Sequence, residues 1–153
     1  MVEAIARLTA ERDPQAACFA LLVRALRALE GGSPARVHLA FTLRLLDLLG
    51  HRPRLDRCGA CATMLGTTAV AFDAASGSVA CARCRDARAV AVSPRALGAL
   101  RGLQTATWEA RLRAQIGPAV EREAAAVLDG YLAALSGAAL KSPRFLAQAV
   151  DGP

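Results

Sequence analysis

The amino-acid sequence predicts a mainly α-helical fold, a helical bundle with an inserted four-cysteine zinc ribbon that contains a small β-hairpin. Three observations lead to this prediction. Apolar residues recur at helical spacing toward both ends of the chain, and Ser-Pro pairs and glycines punctuate those segments. Between Gly50 and Val92 the helical period disappears, and two C-x2-C pairs lie in that interval.

Three helices are predicted before the ribbon. The first covers about residues 2–12. The second begins at Asp13-Pro14, where the aspartate caps the helix and the proline takes its first position, and it ends at Gly31-Gly32. Ser33-Pro34 repeats this start signal for a third helix, which ends at Gly50.

Four further helices are predicted after the ribbon. Ser93-Pro94 starts one, and Trp108 to Ile116 forms the next. A third begins at Pro118 and ends at Gly137, and Ser142-Pro143 starts a last short helix. We therefore expect one domain over residues 1–153, with the ribbon inserted at about residues 52–90.

The central interval predicts two short strands. Thr67–Phe72 is rich in Thr and Val, the DAASG segment forms a turn in which Gly77 can take a positive φ, and Ser78–Ala80 returns as a strand. A short cysteine-bearing turn, or knuckle, lies on each side of this hairpin: the first in RCGACATM and the second in CARC. This is the layout of a zinc ribbon. Metal binding would supply much of the folding free energy of so small a unit.

The metal ligands are predicted from cysteine spacing, C-x2-C-x19-C-x2-C, formed by Cys58, Cys61, Cys81 and Cys84. Four thiolates in two such pairs favour tetrahedral zinc over four reduced core thiols. A redox C-x2-C pair would need a thioredoxin-like βαβ setting, which the sequence does not suggest. A closed shell of four sulfurs leaves no position for water or substrate, so the zinc is expected to be structural.

Composition and charge limit the class of protein without choosing a partner. The formal charge is +6, and of the 19 basic residues only Lys141 is a lysine. An arginine-rich basic chain permits nucleic acid or an acidic protein as partner. No run of 18 apolar residues and no signal-peptide pattern occurs, so we expect a cytoplasmic protein without a membrane partner.

Two groups of arginines are candidates for binding anions. Arg36 and Arg44 lie on the helix before the ribbon, beside apolar residues, and an ordinary amphipathic helix is the alternative for them. The second group surrounds the knuckles, where a solvated basic surface is the alternative. Its members are Arg52, Arg54, Arg57, Arg83, Arg85 and Arg88.

No catalytic constellation is recognisable. Cys18 lies on the apolar face of a helix and is predicted to be buried. His38 and His51 have no evident Ser, Cys or Asp partners for nucleophilic catalysis, and four thiolates leave no place for His51 on the metal. We therefore expect a binding protein and not an enzyme.

Several segments resemble one family. The segment FTLRLLDLLGHRPRLDRCGAC is similar to the pattern F-x-x-R-L-L-x-x-x-G-x-x-P-x-L-x-x-C-x-x-C of the RecO family of recombination mediators. The hairpin and CARC follow at the right distance, and DPQAACFALLVRALRALE, SPRALGALRGL and LDGYLAALSGAALKS also resemble the family. The resemblance covers nearly the whole chain and is most specific from Phe41 to Cys84.

The resemblance implies a role in bacterial DNA repair. RecO proteins bind single-stranded DNA and the acidic tail of the single-strand-binding protein, associate with RecR, help to load RecA, and anneal complementary strands. Arg36 and Arg44 would receive that tail, and the protein would be cytoplasmic and associated with the nucleoid. The alternative function is a stand-alone zinc-ribbon adaptor that binds another protein without DNA.

The chain departs from the family in two places. RecO proteins begin with an OB-fold, whereas no strand-rich segment precedes the helices here, so the OB-fold is expected to be absent and single-strand binding to be weaker. A fragment, a misplaced start and a shortened paralogue are the open explanations. The family also often has arginine directly after Lys-Ser, but here Pro143 follows Lys141-Ser142 and Arg144 comes one later. Lys141 and Arg144 are also predicted to bind DNA or a partner.

Overall fold

The computed structural model describes residues 1–9, 15–66, 68 and 70–138. Within these residues the chain is mainly helical and carries one small sheet. Its elements, in chain order, are α1 (Val2–Leu8), α2 (Ala16–Ala28), α3 (Pro34–Leu48), β1 (Arg54–Cys58), β2 (Val70–Asp73), β3 (Ser78–Ala80), β4 (Val90–Val92), α4 (Pro94–Thr105), α5 (Trp108–Arg113) and α6 (Pro118–Ser136).

The two Ser-Pro pairs within the described residues start helices as predicted. The Ser33 side chain accepts a hydrogen bond from the Arg36 N–H, and Ser93 accepts one from Ala96. Each satisfies a donor that the first turn leaves free. At the far end of α6, Gly137 ends the helix in the left-handed conformation, at φ +70°.

Helix α3 is the centre of the bundle and contacts α2, α4, α5 and α6. Its side chains Leu39, Phe41, Leu45 and Leu46 are fully buried. Removing a large apolar side chain from water contributes about 1.5–3 kcal/mol, so this helix supplies much of the core. Among the described helices, none is long and apolar enough to cross a membrane.

The sheet is larger than the predicted hairpin. Strands β2 and β3 form that hairpin, but β1 pairs with β3 in parallel and β4 pairs with β2 antiparallel, giving the order β1-β3-β2-β4. The outer strands are the segments by which the chain enters and leaves the ribbon. The residues of β1, Arg-Leu-Asp-Arg-Cys, carry little strand signal, so tertiary pairing decides their conformation, whereas β4 is a short Val-Ala-Val segment.

Several predicted boundaries shift. The first helix ends at Leu8 and not at residue 12, and the predicted strand Thr67–Phe72 extends to Asp73, with its described part beginning at Val70. The predicted helix starts at Asp13-Pro14 and Ser142-Pro143 lie outside the described residues. The extent of the domain and of the ribbon insertion stays a prediction.

The hairpin turn packs against the bundle through Gly77. This residue has φ +62°, and a Cβ built on it would collide with the Tyr131 ring and hydroxyl of α6. The Tyr131 ring also meets Phe72 of β2 edge to face, with centroids 5.6 Å apart. The turn therefore fixes how the sheet lies on α6.

Replacing Gly77 with Ala should lower the free energy of unfolding by about 2 kcal/mol or more, because it combines positive-φ strain with that collision. Thermal or urea unfolding measures the change. Gly130→Ala is the control, since Gly130 lies in α6 with open space around it and alanine there should stabilise by up to about 1 kcal/mol. Equal stabilities for Gly77→Ala and the parent protein would contradict this account of the turn.

Candidate metal centre and arginine-lined cavity

The four paired cysteines converge on one point. Cys58 ends β1 and Cys61 lies in the turn that follows, while Cys81 and Cys84 lie in the turn after β3. The pairing of β1 with β3 brings the two turns together, so all four Sγ atoms lie within 4.8 Å of one another. The Sγ atoms of Cys61 and Cys81 are 3.9 Å apart. Sulfurs around a tetrahedral zinc ion, each about 2.3 Å from the metal, stand about 3.8 Å apart, so the cluster fits one ion.

Backbone geometry at the first knuckle prepares the thiols for a cation. The N–H groups of Cys81, Cys61 and Ala60 point at the Cys58 sulfur and lower the pKa of its thiol to about 6, against a smaller opposing effect of burial. Ala62 takes the left-handed conformation, at φ +58°, where the knuckle closes. These backbone groups stabilise a thiolate at Cys58.

The fourth thiol resists ionisation while the others crowd it. The side chains of Cys81 and Cys61, followed by burial, raise the pKa of Cys84 to about 12. Four thiolates at this separation therefore need a positive ion among them. The four cysteines thus form a plausible site for one structural metal ion.

The arginines predicted around the knuckles are all exposed on the ribbon side of the molecule. Arg54 and Arg57 project from β1, and the Arg52 guanidinium lies 3.6 Å from the Asp47 carboxylate. The others follow β3, in and after the second knuckle, and are Arg83, Arg85 and Arg88. Exposure leaves these side chains free to meet an anionic ligand, which stays a prediction.

Arg36, predicted with Arg44 to bind an acidic partner at the surface, is instead buried. It is 8% exposed, and its Nε donates to Glu121 Oε1 at 2.7 Å. It also donates to the carbonyl oxygens of Ala114 and Ile116. Its side chain points from the first turn of α3 toward the connection between α5 and α6, so its charge is committed inside the protein.

Arg44, in contrast, lies at a cavity of about 470 Å³ between α2, α3 and α5. One part of the wall is apolar and another part carries three guanidinium groups. The lining includes Leu21, Leu48, Trp108, Arg24, Arg44 and Arg111. Arg24 stacks over the Trp108 ring, 5.3 Å from its centroid.

The three arginines of this cavity differ in how their charge is balanced. Arg24 pairs with the Glu109 carboxylate, and Arg44 pairs with Asp47 at 3.0 Å. Arg111 is only 5% exposed and donates to the carbonyl oxygens of Ala106, Gln104 and Ala40, with no ion pair to a described carboxylate. Burial lowers the pKa of Arg111 and the nearby Asp47 carboxylate opposes this shift, but guanidinium stays protonated, so the cavity lining holds a positive charge without a direct ion pair.

Sequence reasoning missed Arg24 and Arg111 because they stand on separate helices and only the fold unites them. The single tryptophan next to a basic helix was the available signal. His38, for which no partner was visible, bonds through Nε2 to Asp129 Oδ1 at 2.8 Å, whereas Cys18 is buried as predicted. Lys141 and Arg144 lie outside the described residues.

Comparison with known proteins gives a consistent family. The chain matches the family described as "Recombination protein O C terminal" over residues 1–144. A protein of Roseiflexus sp. (strain RS-1) named DNA repair protein RecO is 35% identical over 133 residues, which are 85% of this chain and 47% of that protein. Proteins of the same name from Anaeromyxobacter sp. strains K and Fw109-5 are 35% and 39% identical, each over 91% of this chain and 56% of the relative. The chain thus spans about half the length of the curated relatives it matches.

The purified protein should contain one zinc ion per chain. Cys81→Ser should reduce the zinc content well below one equivalent, because three thiolates make a weaker and open site. Elemental analysis against protein concentration measures this. Cys18→Ala is the control, since Cys18 is buried in the bundle away from the cluster and its loss should leave one equivalent. A zinc content equally low in the parent protein would contradict the assignment.

Proposed function

This chain belongs to the family described as Recombination protein O C terminal, and we propose that it is the zinc-containing, partner-binding domain of a recombination mediator in bacterial DNA repair. It binds and positions other macromolecules and catalyses no reaction. The thiolates of Cys58, Cys61, Cys81 and Cys84 would hold Zn²⁺, whose contribution is structural: it joins the two knuckles.

The arginine-lined cavity is the observation that carries the proposal. A buried guanidinium without a carboxylate partner is costly unless an anion compensates it. Arg111 supplies that charge at the base of the cavity, and Arg24 and Arg44 add two more guanidinium groups at exposed positions. An anionic ligand is therefore the ligand class that the charge of the cavity favours.

The apolar wall narrows this class to an acidic peptide that ends in an aromatic residue. Leu21, Leu48 and Trp108 line the cavity with apolar surface that suits an aromatic side chain, and the guanidinium groups suit a terminal carboxylate and acidic side chains. The acidic tail of the single-strand-binding protein has this chemistry. We assign the tail to this cavity through Arg24, Arg44 and Arg111, with Arg36 acting only inside the fold.

Single-stranded DNA is the second proposed ligand, on the arginines of the ribbon. Arg52, Arg54 and Arg57 precede the first knuckle, and Arg83, Arg85 and Arg88 belong to the second. They would contact phosphates, without the aromatic stacking platform of an OB-fold, so this binding would be weak and sensitive to salt. In the proposed role the protein also associates with RecR and helps to load RecA. This role places it in the bacterial cytoplasm at the nucleoid.

The alternative is a zinc-ribbon adaptor that binds another protein and no DNA. The cavity supports this alternative as well, because a peptide ligand requires no nucleic acid. Binding of single-stranded DNA therefore separates the two functions.

The acidic tail peptide of the single-strand-binding protein should bind the zinc-loaded protein, and Arg24→Gln with Arg44→Gln should weaken binding at least tenfold, because charge-assisted hydrogen bonds contribute about 1.5–3 kcal/mol each. Fluorescence anisotropy of a labelled peptide measures the dissociation constant. Arg27→Gln is the matched control, an exposed arginine of α2 outside the cavity, and should change affinity little. Equal affinity for all three proteins would remove the cavity from the proposal.

Replacing Arg52, Arg54 and Arg57 with Gln should flatten the salt dependence of single-strand binding. Each lost phosphate contact lowers the slope of log K against log salt by about 0.7, so the triple change should lower it by about 2. Anisotropy with labelled oligonucleotide over a salt series measures the slope. Arg113→Gln with Arg122→Gln, both exposed on the bundle, serves as the control. An unchanged slope would exclude the three ribbon arginines, and no DNA binding at all would favour the adaptor.

A further inference from the structure

Arg101 of α4 contacts the first knuckle through four hydrogen bonds. Its Nε and Nη2 both donate to the Leu55 carbonyl oxygen, at 3.0 and 2.7 Å. Nη2 also donates to the Leu65 carbonyl at 2.5 Å, and Nη1 donates to that of Gly66 at 2.8 Å. A single side chain thus joins the strand that enters the knuckle to the segment that leaves it.

Gln104 extends this contact by one turn of the same helix. Its Nε2 donates to the Pro53 carbonyl at 2.8 Å. Leu97, Leu100 and Leu103 of α4 are buried in the bundle, so the helix joins the core on one face and the ribbon on another. We call Arg101 and Gln104 together the α4 clamp.

The carbonyl groups that the clamp binds keep their positions only while the first knuckle is closed. Leu65 N–H donates to Asp56 O at 2.8 Å, and Cys58 N–H donates to Thr63 O at 2.9 Å, which folds residues 62–66 back along β1. The metal ligands Cys58 and Cys61 lie inside this fold. If the knuckle opened, the carbonyls of Leu55 and Leu65 would separate and one guanidinium could no longer reach both.

Arg101 contacts mostly backbone. Its ion pair with Asp56, at 3.4 Å, involves a carboxylate that is 70% exposed and so contributes little. The guanidinium instead supplies several donors in a fixed plane to one carbonyl of β1, that of Leu55, and to the carbonyls of Leu65 and Gly66 in the segment folded back along β1. These hydrogen bonds can all form only when the first knuckle is closed.

We propose that the α4 clamp links metal binding at the four cysteines to the docking of the ribbon on the helical bundle. Metal closes the knuckle and aligns the carbonyl groups for Arg101. By the reciprocity of coupled equilibria, Arg101 then raises the affinity of the cysteines for metal. Arg101 and Gln104 are positioning residues that touch no ligand sulfur. This coupling does not depend on which partner the protein binds.

The test compares zinc affinity by chelator competition in the full chain, for the parent protein, Arg101→Met and Arg95→Met. Arg101→Met keeps the stem and removes every donor, and should weaken zinc binding roughly tenfold. Arg95→Met changes an exposed arginine on the same helix and should leave the affinity unchanged. Equal affinities for Arg101→Met and the parent protein would overturn the proposal.

Hydrogen exchange gives a readout that a merely structural contact would not move. Removing zinc from the parent protein should speed amide exchange in α4 as well as in the ribbon, whereas in Arg101→Met it should speed exchange in the ribbon alone. If removing zinc from the parent protein left the amide exchange rate in α4 unchanged, the proposed coupling would be overturned. If Arg101→Met fails to fold, Gln104→Ala removes one bond to Pro53 and should weaken zinc binding two- to fivefold, and an unchanged affinity there would also overturn the proposal.

Discussion

Four thiol groups within 4.8 Å of one another impose the constraint on which the ribbon depends. As thiolates they repel, and only a positive ion among them makes the arrangement favourable. The sheet around them is short, with strands of three to five residues, and most residues of the two knuckles are exposed, so burial contributes little to holding the knuckles together. A structural metal would therefore determine whether β1 and β3 align, and with them the exposed arginines that the ribbon presents.

Buried and half-buried arginines hold the irregular connections of this fold. Arg36 donates to carbonyls between α5 and α6, Arg101 to those around the first knuckle, and Arg111 to those at the end of α4 and just after it. Carbonyl groups in such connections lack helix or sheet partners, and a guanidinium offers five donors in one plane. In a chain whose basic residues are almost all arginine, this separates two roles. Arg36 and Arg101 are committed to the fold, Arg111 serves the fold and the cavity together, and the exposed arginines are available to ligands.

The sequence predicted well what local chemistry decides. Ser33-Pro34 and Ser93-Pro94 start helices because the cap and the proline act within one turn, and the two cysteines of each pair lie close together because one turn holds them. The pairing of β1 with β3 then brings the two pairs together. Strand β1 was not predicted because long-range pairing and not residue preference makes it extended, and β4, although its Val-Ala-Val sequence suits a strand, is only three residues long and pairs with a distant strand. Arg36 was wrongly expected at the surface, because helical periodicity alone does not reveal that it forms an ion pair with Glu121 of α6. The cavity was not predicted, because its lining residues come from three helices whose relative positions helical periodicity does not reveal.

X-ray absorption at the zinc edge of the purified protein tests the central claim most directly, because it counts the atoms bound to the metal. We expect four sulfur scatterers at about 2.3 Å and no nitrogen or oxygen bound to the metal. A shell with fewer sulfurs, completed by nitrogen from a histidine or by oxygen from water, would contradict the closed four-thiolate centre and the structural role that follows from it.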